Sequence, residues 1–219
     1  LSRTIEPDSL QPEDFQIVTE FGVIHSPRCV TLRPAQDQGE LRTVLLIGEF
    51  GNADDDPPAL VRVVGDLFSD ETVSDKRSKV NFRGTQVEVT PLQDGPSLVF
   101  AEIVPLNNVA QDTRGSACPD DVNQIIRVIW NGGVRLLNRE ELGDFERELY
   151  KVTVVSEDSS KRRIVPAALG DLGDGDNNHL LCLDSEDIAI SVSFPAGYLA
   201  DPNLDLNPDT VVRVEGSEE

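Results

Sequence analysis

The chain has 219 residues, long enough to close two sandwich-sized cores, and sets 40 acidic against 19 basic side chains for a formal charge of −21. Such a charge repels duplex and single-stranded nucleic acid and anionic membrane surfaces, so neither is an expected partner. No apolar run reaches the roughly 18 residues of a membrane helix, which argues against direct membrane insertion.

In chain order, short runs rich in Val, Ile and Leu alternate with turn-forming segments, the pattern of half-buried strands. The first half predicts strands at Phe15–Thr19, Thr43–Phe50, Leu60–Leu67, Thr85–Thr90 and Ser97–Val104. The second half predicts them at Gln124–Trp130, Leu149–Val155, Arg162–Ala167, His179–Leu183, Ile188–Phe194 and Thr210–Val214. Between them lie Asp54-Asp55-Asp56-Pro57-Pro58, Asp94-Gly95-Pro96, Asn131-Gly132-Gly133 and Asp201-Pro202, each a turn or loop signal. Arg139–Arg147 is the one stretch with a short helical pattern, and Gly143 in its middle makes an irregular loop an equal alternative.

Leu106 to Val122 is poor in apolar residues and rich in Asn, Gln, Asp, Ser, Pro and Gly. This composition predicts a linker at 106–121 between a sandwich at 1–105 and a second at 122–219; a long crossover within one larger sandwich would look the same. The fold class expected is all-β, as two immunoglobulin-like β-sandwich domains in tandem. Cys29, Cys118 and Cys182 never form a C-x-x-C pair, so a zinc ribbon or thioredoxin-type site is not expected. One disulfide with one odd thiol fits an exported chain, and three buried small side chains fit a cytosolic one. The start at Leu1 without Met reads as a processed or trimmed chain.

Two stretches resemble bacterial immunoglobulin-like domains of surface-layer and adhesion proteins. The first runs from Leu1-Ser2-Arg3 through Leu10-Gln11-Pro12-Glu13-Asp14-Phe15-Gln16-Ile17-Val18-Thr19 and Gly22 to Arg42-Thr43-Val44-Leu45-Leu46. The second is Ser191-Val192-Ser193-Phe194-Pro195-Ala196-Gly197-Tyr198-Leu199-Ala200-Asp201 followed by Asn203, and it departs from the module in having Leu204 where the module has Gly. The resemblance covers about half of the chain. It implies the immunoglobulin-like fold and an extracellular or cell-envelope location, and carries no catalytic residue across.

Two Asp/Asn-rich segments are candidate metal sites. Asp201, Asn203, Asp205, Asn207 and Asp209 place oxygen-bearing side chains at alternate positions, and a winding loop of that kind can converge on Ca²⁺, which takes six to eight oxygen ligands. The same residues beside Pro202 and Pro208 equally make hydrogen-bonded turns. Asp171, Asp174, Asp176 and Asn178 offer similar chemistry, and Asp174, Asp176 and Asn178 taken as first, third and fifth ligands start like an EF-hand loop. It fails at the sixth position, His179 in place of Gly, and at the twelfth, Ser185 in place of Glu, which leaves an Asp-Gly hairpin as the competing interpretation.

Catalysis has little foundation. His25 and His179 are the only histidines. Residues three apart in a strand point to opposite faces, which separates His179 from Cys182. Trp130, Tyr150 and Tyr198 are expected as packing residues ahead of a sugar-stacking surface. The function expected is therefore a non-enzymatic binding or structural module, with the loops above as its candidate calcium sites, whose partner is another macromolecule, protein or glycan. The alternative is a metal-dependent hydrolase or carbohydrate-active protein that uses Asp174 and Asp176 with His179.

Overall fold

A computed structural model describes residues 1–33, 41–70, 79–90, 94–106, 117–170, 172 and 177–216. The chain is predominantly β and divides into two compact units, Leu1–Leu92 and Gln93–Glu219.

In the first unit, β1 (Phe15–Thr19), β2 (Ile24–His25), β5 (Pro58–Val63) and β6 (Gln86–Glu88) form an antiparallel sheet in the order β2-β1-β5-β6. β3 (Cys29–Thr31) and β4 (Leu45–Ile47) form a separate two-stranded sheet. Period-two alternation decides what each strand buries. Phe15, Val61 and Val63 from the larger sheet and Val30 and Leu46 from the smaller one join a single core with Ile5, Leu32, Leu67 and Phe82. The acidic run 54–56 is partly a folding device: the Asp56 carboxylate accepts from Thr19 Oγ1 at 2.8 Å and from the Phe21 N–H at 3.0 Å, pinning the β1–β2 turn.

The second unit contains one sheet of eight strands: β7 (Leu98–Val104), β8 (Gln124–Trp130), β9 (Lys151–Val155), β10 (Lys161–Ile164), β11 (Ala168–Gly170), β12 (Asn178–Leu183), β13 (Ile188–Phe194) and β14 (Thr210–Glu215). Their order is β10-β9-β13-β14-β7-β8-β12-β11, with every neighbouring pair antiparallel except β14 and β7. Val152, Val154, Val192, Phe194 and Val214 from one half of this sheet share a core with Ala101, Ile126, Val128, Trp130, Leu181 and Leu183 from the other. The sheet therefore folds over on itself. Trp130 and Tyr150 meet the Phe194 ring edge-on, at 5.5 and 4.7 Å between centroids.

β8 and β12 are covered on both faces. Ile125, Leu180 and Cys182 point away from the main core into a second apolar cluster with Val104 and Val122, against which Cys118 and Ala168 pack. That explains why β12 reads as a nearly continuous apolar run in place of an alternating one.

The division between units falls between Leu92 and Gln93, upstream of the linker expected at 106–121. Leu98–Val104, which composition assigns to the first domain, pairs along its length with β8 and belongs to the second. Composition registers the polar segment after it and is blind to this long-range pairing. The helical pattern near 139–147 resolves as α1 (Asp144–Leu149), and Gly143 is its N-cap residue, its N–H donating to the Glu146 carboxylate at 2.8 Å.

Candidate functional site

The loop 195–209 is organised by its own side chains. Asn207 is buried, and its Oδ1 accepts from the N–H groups of Tyr198 at 3.0 Å and Leu199 at 2.8 Å. Its Nδ2 donates to the carbonyls of Pro195 at 2.8 Å and Pro208 at 2.9 Å. Two donors and two lone pairs are thereby all used, so Asn207 is committed to backbone. Asp209 accepts from the Ala196 N–H at 3.1 Å. Asp201 Oδ1 accepts from the N–H groups of Asn203 at 2.8 Å and Asp205 at 3.0 Å, a local Asx turn. Leu204 completes that turn at φ 72°, in the left-handed region that favours Gly. The five residues thus form two groups, a turn at 201–205 and a clamp at 207–209 holding Pro195–Leu199. On the other side the backbone closes tightly, since a Cβ at Gly95 would stand 2.0 Å from the Leu206 carbonyl oxygen.

Of the second predicted cluster, Asp171, Asp174 and Asp176 lie outside the described residues. Asn178 is the buried first residue of β12, paired in register with Ile129. Among the described residues, no group of three or more His, Cys, Asp and Glu side chains is arranged to hold a metal ion.

His179 belongs to the main core. Its Nδ1 lies 2.9 Å from Tyr150 Oη, which also accepts from Trp130 Nε1 at 3.2 Å. Burial, together with the charge of Arg135, pushes the imidazole pKa down to about 3, and burial pushes the Tyr150 hydroxyl above its usual range. His179 is therefore neutral, and its Nδ1 and the Tyr150 hydroxyl share one hydrogen bond. His179 is 2% exposed, and Asp174 and Asp176, which the hydrolase alternative pairs with it, lie outside the described residues. Trp130 and Tyr150 are core residues, whereas Tyr198 is partly exposed beside Phe145, 6.0 Å between centroids.

Cys118 and Cys182 form a disulfide across a separation of 64 residues, and Cys29 is a free, exposed thiol on β3. His179, Leu181 and Leu183 face one core while Leu180 and Cys182 face the other, so the strand keeps the imidazole and the sulfur apart.

Register exposes a further feature that linear spacing hides. The outward positions of β10, β9, β13 and β14 align Arg163, Thr153, Ser191 and Arg213 in one row across the sheet, and Lys151, Ser193 and Val211 in another. Lys161 is paired with Val155 on the same side. Across these four strands the outward residues include four bases and one acid, Glu215. A shallow groove of about 400 Å³ lined by Lys151, Ser193, Val211, Glu148 and Asp209 closes one end of this face. The alternation Lys-x-Thr and Lys-x-Arg is the sequence signal for it, legible once the strands and their pairing are known.

Comparison with known proteins gave no match: no protein-family model, no curated protein and no solved structure is similar to this chain.

Proposed function

We propose that the chain is a non-enzymatic binding or structural module of an oxidising compartment outside the cytoplasm, secreted or in the cell envelope, built on immunoglobulin-like sandwiches. The observation that carries this proposal is the Cys118–Cys182 disulfide, with Cys182 fully buried in an apolar cluster. Structural disulfides form and persist in oxidising compartments and are rare where thiol reductants are maintained.

The strand order of the second unit supports the immunoglobulin-like part. That fold places strands A, B, E and D in one sheet and C, F and G in the other, with C′ added beside C in the variable type. With β7 to β14 lettered A, B, C, C′, D, E, F and G, the observed order becomes C′-C-F-G-A-B-E-D. In the first unit, two sheets facing across one core support a sandwich of the same general kind. Calcium enters this proposal only through Asp201, Asn203 and Asp205, which stay at least partly at the surface.

Thiol counting tests it. Protein recovered from its native source and alkylated under denaturing conditions is expected to carry one alkylated cysteine, Cys29, and to gain two more only after reduction. Three alkylated cysteines before reduction would remove the case for an oxidising compartment.

A further inference from the structure

We propose that the outward face of β9, β10, β13 and β14 is a binding surface for a polysaccharide bearing carboxylate groups, with Arg163 and Arg213 pairing with the carboxylates and Lys151 and Lys161 adding charge around them. The proposal rests on the extracytoplasmic assignment above only for where such a polymer is met.

Charge is the first support. In a chain of −21, the outward residues of these four strands carry four bases and a single acid. At physiological salt, charges more than about 8 Å apart are largely screened, so a polymer lying on the face responds to that local excess, reduced at the groove end by Glu148 and Asp209, and far less to more distant acids. Geometry is the second. Arg163 and Arg213 stand at the two ends of a row across three strand spacings, about 14 Å, with the hydroxyls of Thr153 and Ser191 between them. Guanidinium groups match carboxylates as two-pronged donors, and hydroxyls exchange hydrogen bonds with sugar hydroxyls.

Chemistry separates this occupant from the others. The cores of protein–protein interfaces are enriched in aromatic residues, Met and Arg and depleted in Lys and Ser, whereas this face joins its two arginines to Lys, Ser and Thr and has no aromatic side chain at its outward positions. Single-stranded nucleic acid is held by aromatic stacking platforms, which these positions likewise lack.

The test is titration of the full chain with oligogalacturonate at low and raised salt, with a neutral glucan of equal length, a short DNA duplex and an acidic protein as comparisons. Wild type is expected to bind the uronate oligomer, to lose affinity as salt rises and to ignore the glucan. Arg163→Glu with Arg213→Glu should weaken binding by about tenfold or more, while Arg28→Glu with Arg83→Glu, the same change in net charge on the first unit, should stay within about twofold. Arg163→Gln with Arg213→Gln replaces the first pair if melting shows that the glutamates perturb the sheet. Absence of uronate binding at low salt, equal losses in both double variants, or equal affinity for DNA or the acidic protein would overturn the proposal. Thiol counting is independent of this experiment: a chain with three free thiols that still binds uronate through Arg163 and Arg213 loses the compartment and keeps the surface.

Discussion

Reduction of Cys118–Cys182 is the perturbation whose size follows most directly from the fold. With the bonded positions 64 apart in sequence, the loop-closure entropy removed from the unfolded chain corresponds to about 4 kcal/mol at 25 °C. The second unit spans Gln93–Glu219. At about 2.1 cal/mol/K per residue its unfolding entropy near the midpoint is roughly 270 cal/mol/K, so losing the cross-link should lower its Tm by about 15 °C. The assay is calorimetry of a Cys29→Ser variant, which removes thiol exchange, with and without a phosphine reductant, and the thiol count confirms reduction. A Cys118→Ala/Cys182→Ala double variant should fall at least as far, because it also empties space in the cluster of Val104, Val122, Ile125 and Leu180. A fall below about 5 °C with reduction complete would refute the reasoning: it would mean that the unfolded chain is already compact around these residues and that the bond removes little entropy.

Four other predictions bear on the core and the loop. Since the folded pKa of His179 is about 3 against 6.5 unfolded, the unfolded state binds the proton first, and stability should drain away as pH falls from 6.5 toward 3. The slope is about 1.4 kcal/mol per pH unit, read by denaturant titration, and it should disappear in His179→Gln. Asn207→Ala strips four backbone groups of their partner and is expected to cost about 3 kcal/mol in the same assay. With Ca²⁺ held at Asp201, Asn203 and Asp205, protein in 5 mM Ca²⁺ should melt several degrees above chelator-treated protein, and a shift within about 1 °C would remove calcium from the proposal. Leu204→Gly should raise stability by about 0.5–1 kcal/mol, since the half-exposed side chain packs little and its positive φ is costly for Leu.

Much of the architecture is legible in the residues themselves. Phe15–Thr19, Gln124–Trp130 and Ile188–Phe194 appear as strands at the predicted limits, because each joins β-branched or aromatic residues to a clear turn signal. Ile24–His25, Cys29–Thr31 and Ala168–Gly170 escape prediction, since two or three residues are too few to show a period. The place of Leu98–Val104 in the second unit depends on pairing with strands up to 112 residues away, to which composition is blind. At the loop, residue types alone fit both an ion cage and a set of turns. The N–H groups of Tyr198, Leu199, Asn203 and Asp205 that make the turns acquire their directions only on folding.

The parallel pairing of β14 with β7, through Val214 with Ala101 and Glu215 with Glu102, bears on how the second unit carries tension. Its first and last strands lie side by side and run the same way, so a pull on the two ends of the unit drags them past each other along their length. Such a load is resisted by all the bonds between them at once, whereas an antiparallel terminal pair would peel open one bond at a time. Should that pair give way, the covalent link between Cys118 and Cys182 would still withhold the chain between them, roughly 220 Å of extended length, from the stretch. A unit wired in this way behaves as a stiff link with a short reserve.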